Sequence, residues 1–213
     1  MTLEQTNKKI FEMITGAQRI LLLTDERIDG DTTGSTLAMY HWLNGLGKDV
    51  RVFSPKPWTE SYLTLPGSEN VIFDSESSKQ PADIVMIFDC ADGKYLRELS
   101  FTTPSALDPS AQPPLIVFDH HATNPLYGDT NAVYTDASST CEIMHRFFEE
   151  NGVRIDACMA TSLLTGITYD TSSFTNGATT ISGMNMAAQL FRAGARHTDI
   201  IKSLIQNKSV DSL

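Results

Sequence analysis

The sequence predicts an α/β protein: a doubly wound, mainly parallel five-stranded sheet flanked by helices, followed by a helical C-terminal part. Three observations lead there. Short β-rich runs are apolar without alternation, as strands covered on both faces must be. Those runs alternate with segments of helical period, the pattern of βαβ units. The chain has 213 residues and is 41% hydrophobic, enough to bury one ordinary core.

The first segment reads as a helix. Thr2 and Gln5 fit a capping box, and Leu3, Ile10, Phe11 and Ile14 recur at helical spacing. "RILLLTD" (19–25), "DVRVFSP" (49–55), "NVIFD" (70–74), "DIVMIFDC" (83–90) and "PLIVFDHH" (114–121) read as the strands. Between the first two, "GSTLAMYHWLNGLG" (34–47) is a helix with Leu37, Tyr40, Leu43 and Leu46 on its apolar side and Gly47 as its stop. The Pro/Ser-rich stretch "LSFTTPSALDPSAQPP" (99–114) reads as a surface excursion. Beyond the fifth strand the pattern turns helical, with "SSTCEIMHRFFEENG" (138–152) opened by a second capping-box match, Ser139 to Glu142, and closed by Gly152. Helices over 156–170 and 181–194 follow, and a last one starts at 197 before dissolving into "NKSVDSL".

A net charge of −10 makes the chain a poor coat for duplex nucleic acid. Three cysteines, Cys90, Cys141 and Cys158, form no CxxC pair and fit a reduced, cytoplasmic protein. Strand alternation turns Cys90 into the core. The first 20 residues lack the continuous apolar stretch of a secretory signal, and no run suits a membrane span.

In a parallel α/β sheet, ligands bind beyond the carboxyl ends of the strands. The acidic stops of this sequence fall at those ends. The first strand runs into "TDERIDGDTTGS", with Asp25, Asp29 and Asp31; the fourth ends at Asp89; the fifth ends at Asp119, His120 and His121. Asp170 closes the helix in "GITYDTSSF". Singly, each has a plain explanation: Asp31 as a helix N-cap, Asp89 as the start of a turn, the histidines as hydrogen-bonded surface groups, Asp170 as a cap. Their convergence on one edge is what those explanations leave out, because gathered carboxylates repel unless cations sit among them. Carboxylates with imidazoles and no thiolate suit Mn²⁺, or Mg²⁺, and so many ligands call for two ions. Such a pair serves displacement at phosphorus.

These segments resemble the motifs of the DHH phosphoesterase superfamily, within it the NrnA-like oligoribonuclease and phosphoadenosine-phosphate phosphatase branch, over nearly the whole chain to about residue 195. "DGDTTGS" (29–35), "FDCAD" (88–92), "FDHHATN" (118–124), "TDASSTCEI" (135–143) and "LLTGITYDTSSF" (163–174) carry the resemblance in order. It implies that Asp29 and Asp89 hold one ion, and that Asp31, Asp89, His120 and Asp170 hold the other. It further implies that His121 faces the substrate phosphate, with Asp119 orienting a histidine, and that Asn124, Ser138, Ser139 and Arg97 contact substrate.

Two departures stand out. The family's usual histidine, four residues before the first motif aspartate, is here Asp25, and the proline preceding that aspartate is Ile28. Either Asp25 substitutes as a ligand, giving five carboxylates against two divalent ions and a charge of about −1, or it points away. The second departure is length. Residues 1–195 would form the catalytic domain and 196–213 a helix and the start of a linker, with the family's second, substrate-gripping domain absent. The expected activity is two-metal hydrolysis of phosphate esters in short oligonucleotides or nucleotides, by a cytoplasmic protein that could pair as a homodimer. The alternatives are another phosphohydrolase on this scaffold (pyrophosphatase, exopolyphosphatase or cyclic-dinucleotide phosphodiesterase) or a metal- or nucleotide-binding module with weak catalysis.

Overall fold

The computed structural model describes residues 2–75, 79–99 and 112–201, without the side chains of Arg97, Glu98, Asp199 and Ile201. The expected contacts of Arg97, most of the 99–114 excursion and the polar C-terminal tail therefore lie outside the described residues.

Among the described residues, six parallel strands form one sheet: β1 (Arg19–Leu23), β2 (Asp49–Phe53), β3 (Val71–Ile72), β4 (Ile84–Phe88), β5 (Leu115–Asp119) and β6 (Thr130–Val133). Their order is β3-β2-β1-β4-β5-β6, so the winding reverses between β1 and β4. That reversal opens a crevice where loops leave in opposite directions, the usual ligand position in such a sheet. The five expected strands are all present, although β3 is only a two-residue pairing. The strand count is corrected by β6, which adds to β5 at the sheet edge.

The helices are α1 (Leu3–Gly16), α2 (Gly30–Gly45), α3 (Glu60–Leu63), α4 (Thr140–Glu150), α5 (Ala157–Asp170), α6 (Ile181–Arg192) and α7 (His197–Ile201). At α1 the capping box is complete: Gln5 N–H donates to Thr2 Oγ1, and Thr2 N–H to Gln5 Oε1. At α4 only half of it forms. Glu142 N–H donates to Ser139 Oγ, while the Glu142 carboxylate accepts from Ser138 N–H instead. The start of α2 is also corrected, to Gly30 rather than residue 34, and its cap is Asp29 rather than Asp31. Gly30, Asp31, Thr32 and Thr33 have modest helix propensity, but all four are buried, and burial overrides propensity.

A large core lies on one face of the sheet. Ile20, Leu22, Met86, Phe88, Ile116 and Phe118 meet Ile10 of α1, Leu37 of α2, Phe147 of α4 and Leu163 of α5. Each such side chain, fully buried, is worth about 1.5–3 kcal/mol. The opposite face carries a smaller cluster of Leu21, Leu23, Val85, Ile87 and Val117, packed with Tyr95 and, as expected, Cys90.

Helices α2 and α5 press together backbone to backbone. A methyl on Gly34 would lie 2.4 Å from the Ser162 carbonyl, and one on Gly166 would lie 2.3 Å from Cys141 Sγ and 2.5 Å from Asp31 Oδ1. Only glycine fits there. The result is that the end of α5, with Asp170, is drawn against the start of α2, with Asp29 and Asp31.

Candidate metal centre and active site

Each acidic stop is delivered to the crevice by a different element. Asp29 caps α2, its Oδ1 accepting from Asp31 N–H at 2.9 Å and Thr32 N–H at 3.0 Å. Asp31, fully buried, sits at the N-terminus of α4: Oδ2 accepts from Thr140 N–H at 2.6 Å and Oδ1 from Cys141 N–H at 2.9 Å. Those two N–H groups have no partner inside the helix, and the helix dipole favours an anion beside them. Asp89, just past β4, has φ of +55°, a left-handed conformation that aspartate tolerates better than most residues. Its carboxylate accepts from Thr32 Oγ1 at 2.8 Å and from Thr140 Oγ1 at 3.2 Å.

The imidazoles come from the loop after β5. His120 Nε2 lies 3.6 Å from Asp89 Oδ1 and 3.3 Å from Asp170 Oδ2. His121 Nδ1 lies 2.7 Å from Asp119 Oδ1 and 3.7 Å from Asp89 Oδ1. A carboxylate only accepts, so His121 Nδ1 carries the proton and Nε2 is left on the half-exposed ring. Asp119 is wholly buried but well supplied, with Oδ1 also accepting from His120 N–H and Oδ2 from Asn124 Nδ2.

Charge and burial divide these carboxyls into two kinds. Burial first, and then the charges of Asp31, Asp29 and Asp170, push Asp89 well above the usual carboxylate range. Burial, with Asp31 and Asp29, raises Asp170 to about 9, and burial with Asp31 also raises Asp29. Burial works the same way on Asp119, but hydrogen bonds from His121 and Asn124 outweigh it and hold that carboxyl low. The Asp119 hydrogen bond in turn raises His121.

Two sets of ligand atoms lie within 4.8 Å of one another: Asp31, His120 and Asp170, and Asp89, His120 and His121. The donors are oxygens and imidazole nitrogens, the chemistry of Mn²⁺ and Mg²⁺. One carboxylate oxygen of the cluster, the buried Asp170 Oδ2, has an imidazole nitrogen beside it, His120 Nε2 at 3.3 Å, but no hydrogen bond of its own. A buried carboxylate oxygen left this way is costly unless a cation meets it. The residues present therefore fit a bound divalent ion.

Not every residue expected at the site stands in it. Neither Asp25 nor Asp29 joins either ligand group: Asp29 Oδ1 is taken up in capping α2, and the Asp25 carboxylate accepts from Arg27 Nε at 3.3 Å, Glu26 N–H at 2.7 Å and Cys90 Sγ at 3.6 Å. Asn124 does not face outward, because its amide donates to Asp119 and to the Cys90 carbonyl. Ser139 caps α4, and Ser138 shares a hydrogen bond with Thr180, so both hydroxyls are engaged internally. Conversely, Thr32 and Thr140, which hold Asp89, carry no mark of that role in their residue type. "DGDTT" and "SSTC" do place a hydroxyl beside each helix start, and that adjacency was the available signal.

A parallel sheet with carboxylates and a histidine pair at its topological switch defines an α/β protein whose side chains could hold a divalent cation there. A family model described as the DHH family, N-terminal domain, matches residues 19–167, and the chain belongs to that family. It is 27% identical over 185 residues to the bifunctional oligoribonuclease and PAP phosphatase NrnA of Thermus thermophilus, a match covering 87% of this chain and 53% of that protein. The chain thus spans about half the length of the curated relatives it matches. In fold it resembles an exopolyphosphatase-related protein from Bacteroides fragilis, with a TM-score of 0.84 and 22% identity, covering 97% of this chain and 62% of the other. It also resembles the exonuclease RecJ bound to manganese, with a TM-score of 0.52 and 18% identity, over 91% of this chain and 47% of that one. Among the described residues, no helix is long and apolar enough to cross a membrane.

Proposed function

We propose that this chain is the catalytic unit of a divalent-cation-dependent phosphoesterase acting on phosphate esters of short oligonucleotides or nucleotides. The observation that carries the reading is the convergence of Asp31, His120 and Asp170, and of Asp89 with the histidine pair, within ligand distance of one another at the switch point of a DHH-family sheet. In this reading Asp29, Asp31, Asp89, His120 and Asp170 hold two Mn²⁺ or Mg²⁺ ions, and residues 1–195 form the domain that carries them. Bound ions of this kind supply Lewis acidity to a phosphoryl oxygen and to the attacking water. The relatives' names, an oligoribonuclease and PAP phosphatase among them, support the substrate class.

The chain's own groups handle geometry and protons. Asp119 fixes the His121 tautomer through Nδ1–H and favours the imidazolium. The protonated Nε2 would then donate to the departing ester oxygen as the P–O bond breaks, while the water that forms the new bond to phosphorus gives up one proton to solvent. Thr32 and Thr140 hold Asp89 in place, and their hydroxyls keep both of its oxygens oriented.

Hydrolysis of a phosphodiester and of a nucleoside bisphosphate, with Mn²⁺ and with chelator, tests the reading. Turnover is expected only with the ion, and Asp89→Asn, which keeps a residue tolerant of φ near +55°, is expected to lose at least about 10²-fold in kcat. Equal rates in the parent and this variant would rule the reading out.

A further inference from the structure

Asp25 replaces the histidine expected at its position, yet it is not turned toward the other carboxylates. It is held on three sides, by Glu26 N–H, by the Cys90 thiol and by Arg27 Nε. The thiol belongs to the residue that follows Asp89, so the brace is built directly onto the centre's own backbone. Arg27 stands in the loop between β1 and α2, at the reversal of the sheet, and three-quarters of its side chain is exposed. Among the described residues its guanidinium makes only the Nε bond, leaving the Nη groups free to donate. Its positive charge is close enough to His121 to oppose protonation there.

An ion pair this exposed adds little to stability. What it does accomplish is geometric. A guanidinium anchored through Nε presents its Nη edge in a fixed direction, the arrangement that suits a phosphate oxygen. It also settles the charge. With Asp25 neutralised by Arg27, four carboxylates would face two divalent ions, for a formal charge of about 0 rather than −1, and an anionic substrate is admitted.

We propose that Asp25 is the anchor of a phosphate-gripping arginine rather than a metal ligand, and that Arg27 takes a non-bridging oxygen of a substrate phosphate at the lip of the centre. The inference rests on the phosphoesterase reading for its substrate, though not for its test. Arg27→Ala is expected to raise KM for a phosphate ester about tenfold, with kcat falling less than about threefold, and Arg27→Lys to recover part of the loss. Asp25→Asn is expected to raise KM in the same direction while binding as many Mn²⁺ ions per chain as the parent, counted by electron paramagnetic resonance. Calorimetric binding of a nucleoside monophosphate to the Mn²⁺-loaded protein reports on Arg27 without turnover. If no ester is hydrolysed but Arg27→Ala weakens that binding about tenfold, the phosphoesterase reading falls and the role of Arg27 stands. Unchanged KM and binding in Arg27→Ala overturn the role of Arg27, and loss of one Mn²⁺ in Asp25→Asn overturns that of Asp25.

Discussion

Replacing Gly166 by alanine would wedge one methyl group between α5, α2 and α4. The added carbon would sit 2.3 Å from Cys141 Sγ and 2.5 Å from Asp31 Oδ1, both closer than carbon contacts allow, and at a tight 3.0 Å from Asp31 Cα. Two of the three atoms belong to a residue whose carboxylate is pinned to the α4 N-terminus, so the shift must move either the helices or the ligand. Overpacking of this kind costs about 1–3 kcal/mol. For a chain of this size that is a fall in Tm of about 2–12 °C. Displacing Asp31 should also weaken Mn²⁺ binding about 10–100-fold. Thermal melts with and without Mn²⁺, together with a Mn²⁺ titration, read both effects. Gly45→Ala is the contrast, because a methyl there meets nothing within 4 Å. It lies at the end of the same α2 helix and is expected to stabilise by up to about 1 kcal/mol. Adding Cys141→Ala to Gly166→Ala removes the sulfur contact but not the Asp31 contacts, so it should restore part of the stability and little of the ion affinity. A Gly166→Ala protein with the parent's Tm and Mn²⁺ affinity would refute the packing reasoning.

Two further expectations follow from the charges and hydrogen bonds. In chelator, the raised Asp170, Asp89 and Asp29 bind protons more tightly folded than unfolded, so stability is fullest below their unfolded values and is lost as pH rises toward the folded ones. For Asp170 the window runs from its ordinary 3.8 to about 9, with a slope of up to about 1.4 kcal/mol per pH unit. Melts across about pH 5.5 to 8.5 should show Tm falling with pH in chelator and flattening in Mn²⁺, with protons released on ion binding; a Tm that rises with pH in chelator contradicts the cause given. Asn124→Ala removes a donor from buried Asp119 and should cost about 1–3 kcal/mol in a thermal melt. It should also lower kcat about tenfold or more while leaving Mn²⁺ stoichiometry intact, and turnover within twofold of the parent would show that Asp119 needs no such support.

The strands nearest the sheet centre were legible because they are apolar on both faces: β1, β4 and β5 read as continuous hydrophobic runs. The edge strand β6 was not. Its "TNAV" alternates between buried and half-buried and contains asparagine, and its strand character comes from pairing with β5 rather than from composition. The early start of α2 was hidden for a related reason, since "GDTT" reads as a loop until α5 buries it. Within the site, the acidic stops and the histidine pair announced themselves by residue type. Their supports did not. Backbone N–H groups of α4 carry no sequence signature, and the partner of Asp25 was a matter of side-chain direction, which spacing alone leaves open. Asn124 and Ser139 stood in suggestive positions, but their side chains serve Asp119 and the helix cap.

The bond between Asp31 and the start of α4 spans 109 positions of the chain, and Asp170 lies further on still. Contacts so far apart along the chain cannot form until both segments are present. On a ribosome, the strands of the sheet would emerge long before the cation cage could close, and the cage could not be complete until α5 had left the exit tunnel. In the proposed reading, ion capture would then record that α5 has joined the sheet, since no shorter stretch of the growing polypeptide carries all the ligands.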